Sequence, residues 1–225
     1  MTRRERSFLR VFFVLVFVPM FGVFPYLSAI NNPNENVRIY MTMALVDDGT
    51  LCIDQAVSRF GWVNDMARVP AKDGSSHYFS VKGPAISFAG VPAYWLFAKL
   101  APKLGHPPPT APTANPEQRA WWLRSSIWAA RIFAVQLPAF LFLIFFERYL
   151  RAFSSDLVFR LTAVVAAGLG TNYLAYTQMY ASHALFAVAA FASFAITERE
   201  LRLSRGNAKR RRASMAFLAG WFAGW

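Results

Sequence analysis

The stretch Asn34-Glu35-Asn36-Val37-Arg38-Ile39-Tyr40 sets a carboxylate, amides, a guanidinium and a phenol side by side, directly after a long apolar run. Charged and amide groups packed against the mouth of a membrane helix are costly unless they bind something. Lys82-Gly83-Pro84 adds a cation at a helix start, where free backbone N–H groups favour a phosphate. Arg131 lies near the start of another apolar run, and intramembrane arginines normally face a polar cavity. His183 follows the short turn Gln178-Met179-Tyr180-Ala181-Ser182 and opens a further apolar segment. Each of these residues also has a plainer reading. Glu35 and Arg38 share a helix face and can simply pair. Lys82 and Arg131 can reach for lipid headgroups, Tyr40 can anchor at an interface, His183 can cap its helix, and Asp47-Asp48-Gly49 is a turn signal. His77 and His106 show no ligand spacing, so no metal site is assigned.

The elements that must position these groups are membrane helices. The chain is 56% hydrophobic, and its apolar residues come in long blocks rather than the periodic pattern of a soluble core. The expected fold class is all-α, a multi-pass transmembrane helical bundle. A formal charge of +12 does not point to nucleic acid, because the basic residues sit at the ends of hydrophobic segments. Four arginines lie in Met1–Arg10 and seven Arg or Lys in 198–212, the positive-inside pattern of cytoplasmic flanks. The single cysteine, Cys52, excludes an internal disulfide.

Spans are expected at about 8–30, 127–146, 157–177 and 180–197, with an incomplete one at 213–225. The first is too long for a signal-peptide core and lacks a cleavage pattern, so it reads as a retained anchor. Segment 84–104 is apolar but contains Pro92, Lys99, Pro102 and Lys103. If it spanned, parity would put the basic 198–212 stretch outside. Lying in the interface, with Tyr94 and Trp95 at headgroup depth, it keeps every basic loop inside. The N-terminus is then cytoplasmic and 31–124 forms an extracytoplasmic loop. Half of the twelve acids fall in its first part: Glu35, Asp47, Asp48, Asp54, Asp65 and Asp73. Within the loop, interfacial helices are expected at about 37–48 and 84–104. Asn34 or Asn36 would cap the first, and Gly49 would end it. A short extended piece over 50–54, irregular chain over 61–76 and a proline-rich spacer over 105–116 complete the loop. The segment from Ala213 is too short to cross, so the chain reads as the N-terminal portion of one larger membrane domain.

At these blocks the chain resembles the GT-C superfamily of membrane glycosyltransferases, above all the protein mannosyltransferase and aminoarabinose-transferase branch. Those proteins open an outer loop with an Asp-Glu-x-x-Arg/Tyr block leading into an interfacial helix. A second block, Tyr/Phe-x-Asp/Glu-Lys-x-Pro, leads into another. The counterparts here are Asn34-Glu35-Asn36-Val37-Arg38-Ile39-Tyr40 and Tyr78-Phe79-Ser80-Val81-Lys82-Gly83-Pro84, and Arg131 resembles the arginine that opens the family's next span.

The resemblance implies transfer of a hexose or pentose from a polyprenyl-phosphate donor to an extracytoplasmic acceptor, at the bacterial inner membrane. It implies Glu35 and Asn34 at the catalytic position, and Arg38, Lys82 and Arg131 on the donor phosphate. Tyr40, Asp47 and His183 are candidate contacts to donor or acceptor. The expected partners are membrane lipids and the lipid-linked sugar. No cofactor is expected; a divalent metal would suit the chemistry, but no ligand spacing supports one. Two positions depart from the pattern: Asn34 stands where the family has its catalytic Asp, and Val81 where it has an acid before the lysine. An amide takes no proton near neutral pH. The alternative function is therefore a non-catalytic scaffold or lipid-binding protein descended from such an enzyme.

Overall fold

The computed structural model describes residues 3–22, 32–110, 115–204 and 213–224. Among the described residues 73% are helical and 6% are strand, so the chain is mostly helical with a β-hairpin. In chain order the elements are α1 (Arg3–Phe17), α2 (Pro33–Met43), α3 (Asp54–Phe60), β1 (Met66–Pro70), β2 (Ser76–Ser80), α4 (Ala85–Leu100), α5 (Pro116–Arg131), α6 (Leu137–Leu150), α7 (Leu157–Gly168), α8 (Asn172–Thr177), α9 (His183–Ser204) and α10 (Ala213–Ala223). Helices α5 and α6 join through a π turn, Ile132–Gln136, into one continuous 35-residue helix, Pro116–Leu150. At 1.5 Å per residue it is about 52 Å long. Among the described residues it is the one helix long and apolar enough to cross a membrane.

The contacts divide the chain into two units. The first comprises Met1–Phe17, Pro138–Tyr176 and Ser182–Trp225. Its apolar packing centres on Phe191, whose ring meets Phe142 at 5.4 Å, Phe146 at 5.4 Å and Tyr149 at 5.2 Å. Glu147 is almost fully buried, and it survives there because Arg160 (3.0 Å) and Arg151 (2.6 Å) both bond its carboxylate. The expected 127–146 span thus runs further, since α6 continues to Leu150 and Glu147 is a core anchor. The expected 157–177 span is broken: α7 closes at Gly168, and α8 restarts at Asn172. Gly168 and Gly170 end the helix, and a Cβ at Gly168 would come 2.7 Å from Leu143 Cδ1.

The second unit comprises Val18–Leu137 and Thr177–Ala181. Here α2 starts with Asn32 as its cap, whose side chain accepts the Asn34 N–H at 3.1 Å, and Pro33 fills the first helical position. The cap therefore lies two residues before the earlier of the two asparagines expected to supply it. The helix passes through a π turn, Ala44–Asp48, and ends at Gly49, which adopts φ 65° as a left-handed terminator should. Residues 61–76, expected to be irregular, hold β1 and the first residue of β2, paired antiparallel with Met66 opposite Ser80 and Pro70 opposite Ser76. Asp73-Gly74, with Gly74 at φ 81°, is the turn signal that marks this hairpin. The apolar segment after Pro84 forms α4, 16 residues and about 24 Å by helical rise, shorter than a bilayer core of about 30 Å. The part of the 8–30 segment beyond Gly22, residues 111–114 of the spacer and the 205–212 basic stretch lie outside the described residues.

Candidate functional site

The second unit gathers charges from four separate segments. Helix α2 buries most of its length and carries Glu35, Asn36 and Arg38 inward, and α5 presents Arg131, which is 3% exposed. Arg131 Nη2 donates to Glu35 Oε1 at 2.9 Å, with both side chains buried. The Tyr180 backbone N–H donates to the same oxygen, and the Asn32 amide lies 3.4 Å from the other. Glu35 is therefore bound to a guanidinium and a main-chain donor. The plainer alternative, a Glu35–Arg38 ion pair, is not among those formed; Arg38 Nη1 donates to the Asn34 carbonyl at 2.9 Å.

Asp65 is the residue the sequence reading missed. It sits at φ 70°, the one described non-glycine residue in the left-handed region, and its carbonyl accepts the Val81 N–H at 3.1 Å to close the base of the hairpin. That register sets the Asp65 carboxylate 3.2 Å from Lys82 Nζ, with both side chains about one-third exposed. Asp65 is also the strongest favourable charge on Arg38: burial lowers the pKa of that guanidinium, while Asp65, Tyr180 and Glu35 in turn pull it back up. The unit thus holds three cations and two acids: Lys82 paired with Asp65, Arg131 paired with Glu35, and Arg38 one turn along α2 from Glu35. Arg38 Nε and Asn34 Oδ1 are buried with no hydrogen-bond partner among the described residues, which leaves polar capacity for a ligand.

A tight polar core supports these groups. Tyr180 Oη donates to the Ile86 carbonyl at 2.8 Å and lies 3.0 Å from the Thr42 hydroxyl, while Ser87 Oγ donates to the Arg38 carbonyl at 3.0 Å. Helix α4 comes close enough only because Gly90 has no side chain, since a Cβ there would fall 1.9 Å from Tyr180 Oη. The other expected contacts are engaged elsewhere. Tyr40 donates to the Gly61 carbonyl at 3.2 Å and stacks on Phe60, and burial pushes its phenol well above the usual value. Asp47 binds Arg59 at 3.2 Å and Tyr94 Oη at 2.9 Å, tying α3 and α4 to the end of α2. His183 belongs to the first unit, where its ring packs 4.5 Å from Tyr176. His106 stacks on Trp121 at 3.9 Å.

Comparison of the chain with protein-family models, with curated proteins and with solved structures finds no match.

Proposed function

We propose that the chain is a multi-pass integral membrane glycosyltransferase of the GT-C kind, moving a sugar from a polyprenyl-phosphate donor to an acceptor outside the cytoplasm. The observation that carries this reading is Asp65. The acid missing from the second block at Val81 is supplied in space by Asp65, across the hairpin and beside Lys82. Asp65, about one-third exposed beside Lys82, is open to an acceptor arriving from solvent, whereas Glu35 is buried and held by Arg131.

In the proposed reaction the acceptor oxygen attacks the anomeric carbon, and the bond from that carbon to the phosphate oxygen breaks. The polyprenyl phosphate leaves with the electron pair. Asp65 takes the acceptor's proton, and Lys82 with Arg38 holds the phosphate charge. Glu35 is a positioning residue that aims Arg131. Lipid contact is supported in the first unit by an apolar groove along Phe13, Phe17, Phe140 and Ile144, edged by Arg6 and Arg148.

The test is transfer from a polyprenyl-phosphate sugar by the protein in membranes. Asp65→Asn and Lys82→Ala should each lower turnover by roughly 10²–10⁴-fold, the range for losing a proton-transfer or charge-stabilising group. Undiminished turnover in both variants would remove the assignment. A second reading, a non-catalytic lipid-phosphate binder, is favoured by Asn34 and by the closed Glu35–Arg131 pair. It predicts saturable binding of polyprenyl phosphate with no turnover.

A further inference from the structure

The hairpin that carries Asp65 and Lys82 also brings together three residues of metal-ligating type. Cys52 pairs with Phe79 in an isolated bridge, Asp54 opens α3 and His77 lies in β2. Their ligand atoms all lie within 4.8 Å of one another. The surroundings orient each ligand. The Tyr78 N–H donates to Asp54 Oδ1 at 2.6 Å, leaving Oδ2 turned to His77 Nδ1 at 2.7 Å. On the far side of the ring, His77 Nε2 lies 3.2 Å from Ser75 Oγ, and that hydroxyl is 2.6 Å from Asp73 Oδ1.

Ser75 Oγ donates to Asp73 Oδ1, so its oxygen is placed to accept a hydrogen bond from His77 Nε2. On the other side of the ring, either a proton or a metal cation can lie between His77 Nδ1 and Asp54 Oδ2. The Asp73–Ser75–His77 relay is the outer-shell arrangement that fixes the tautomer of a metal-bound histidine. A thiolate, an imidazole and a carboxylate form a borderline-soft donor set that suits Zn²⁺ and not Ca²⁺ or Mg²⁺.

We infer that Cys52 Sγ, Asp54 Oδ2 and His77 Nδ1 form a Zn²⁺ site with a fourth position open to water. Tetrahedral ligands at about 2.0–2.1 Å from zinc stand about 3.3 Å apart, so the Asp54–His77 contact must open by roughly half an ångström. Both side chains are exposed by a third or more and can rotate that far. Binding expels the thiol proton of Cys52 and any proton shared by Asp54 and His77. The metal would pin the start of α3 to β2, the strand that leads into Lys82. This site stands on its own residues, independently of sugar transfer.

The test uses the whole protein, purified without chelator. Cys52 is the one cysteine of the chain, so a thiolate-to-metal band can come from no other residue. Titration with Co²⁺ should produce that near-ultraviolet band at one equivalent, and Zn²⁺ should abolish it. Zn²⁺ should also slow maleimide alkylation of Cys52 in the unaltered protein by roughly tenfold or more, because bound thiolate is not free to react. His77→Ala should lose this protection, and Asp73→Asn should weaken it. No thiolate band, or alkylation unaffected by Zn²⁺, would overturn the site whatever the fate of transferase activity.

Discussion

At the scale of single residues, Asp65 and Glu35 are both acids near cations, and their surroundings divide their work. Glu35 is buried against Arg131, so removing its charge strands a guanidinium in a dry environment. Glu35→Gln should therefore destabilise the protein by roughly 3–5 kcal/mol, read as a fall in the unfolding midpoint. Asp65 sits at the surface in a backbone conformation that glycine adopts without cost. Asp65→Gly should hold or slightly raise stability while abolishing the proposed transfer. A loss of stability like that of Glu35→Gln would show Asp65 to be a structural ion-pair partner and not a functional one.

At the scale of elements, the second unit depends on how closely α4 can approach the chain at Tyr180. Gly90 faces a phenol that is fully buried and tied to Ile86 and Thr42, so it cannot swing aside. Gly168 faces the tip of Leu143, which can change rotamer. Gly90→Ala should cost about 1–3 kcal/mol or more as overpacking, and Gly168→Ala distinctly less. Thermal unfolding of the two variants side by side measures the difference. Equal losses would mean that Tyr180 is free to move. The hairpin shows why local pattern was insufficient. Met66-Ala67-Arg68-Val69-Pro70 has weak alternation and a proline, so only Asp73-Gly74 announced it. Without the hairpin register, Asp65 with Lys82 and Asp54 with His77 have no visible reason to meet.

At the scale of the whole molecule, the proposed topology, drawn from the basic flanks, sets the N-terminus in the cytoplasm and the segment bearing Cys52 and Lys82 outside it. In intact cells treated with a chelator, Cys52 should react with a membrane-impermeant maleimide. A cysteine placed at Ser154, in a protein whose Cys52 is replaced by serine, should react only after the membrane is opened. Labelling of position 154 from outside, with Cys52 reacting only after the membrane is opened, would reverse the topology and remove the extracytoplasmic site with it.

The sequence by itself determined the helical class, the long apolar segments, the bias of basic charge and the end of α2 at Gly49, because hydropathy, charge and turn chemistry act over a few residues. It also singled out Glu35, Arg38, Lys82 and Arg131 as the charged groups worth following. The tertiary structure decided which of them touch. Glu35 and Arg131 are 96 residues apart in the chain, and no local rule sets that distance. Their pairing follows from α2 and α5 packing in one unit, which turns an expected catalytic acid and phosphate ligand into a buried ion pair. Asp65 gained its place by the register of a hairpin, which sets positions across strands that have no pattern in common along the chain.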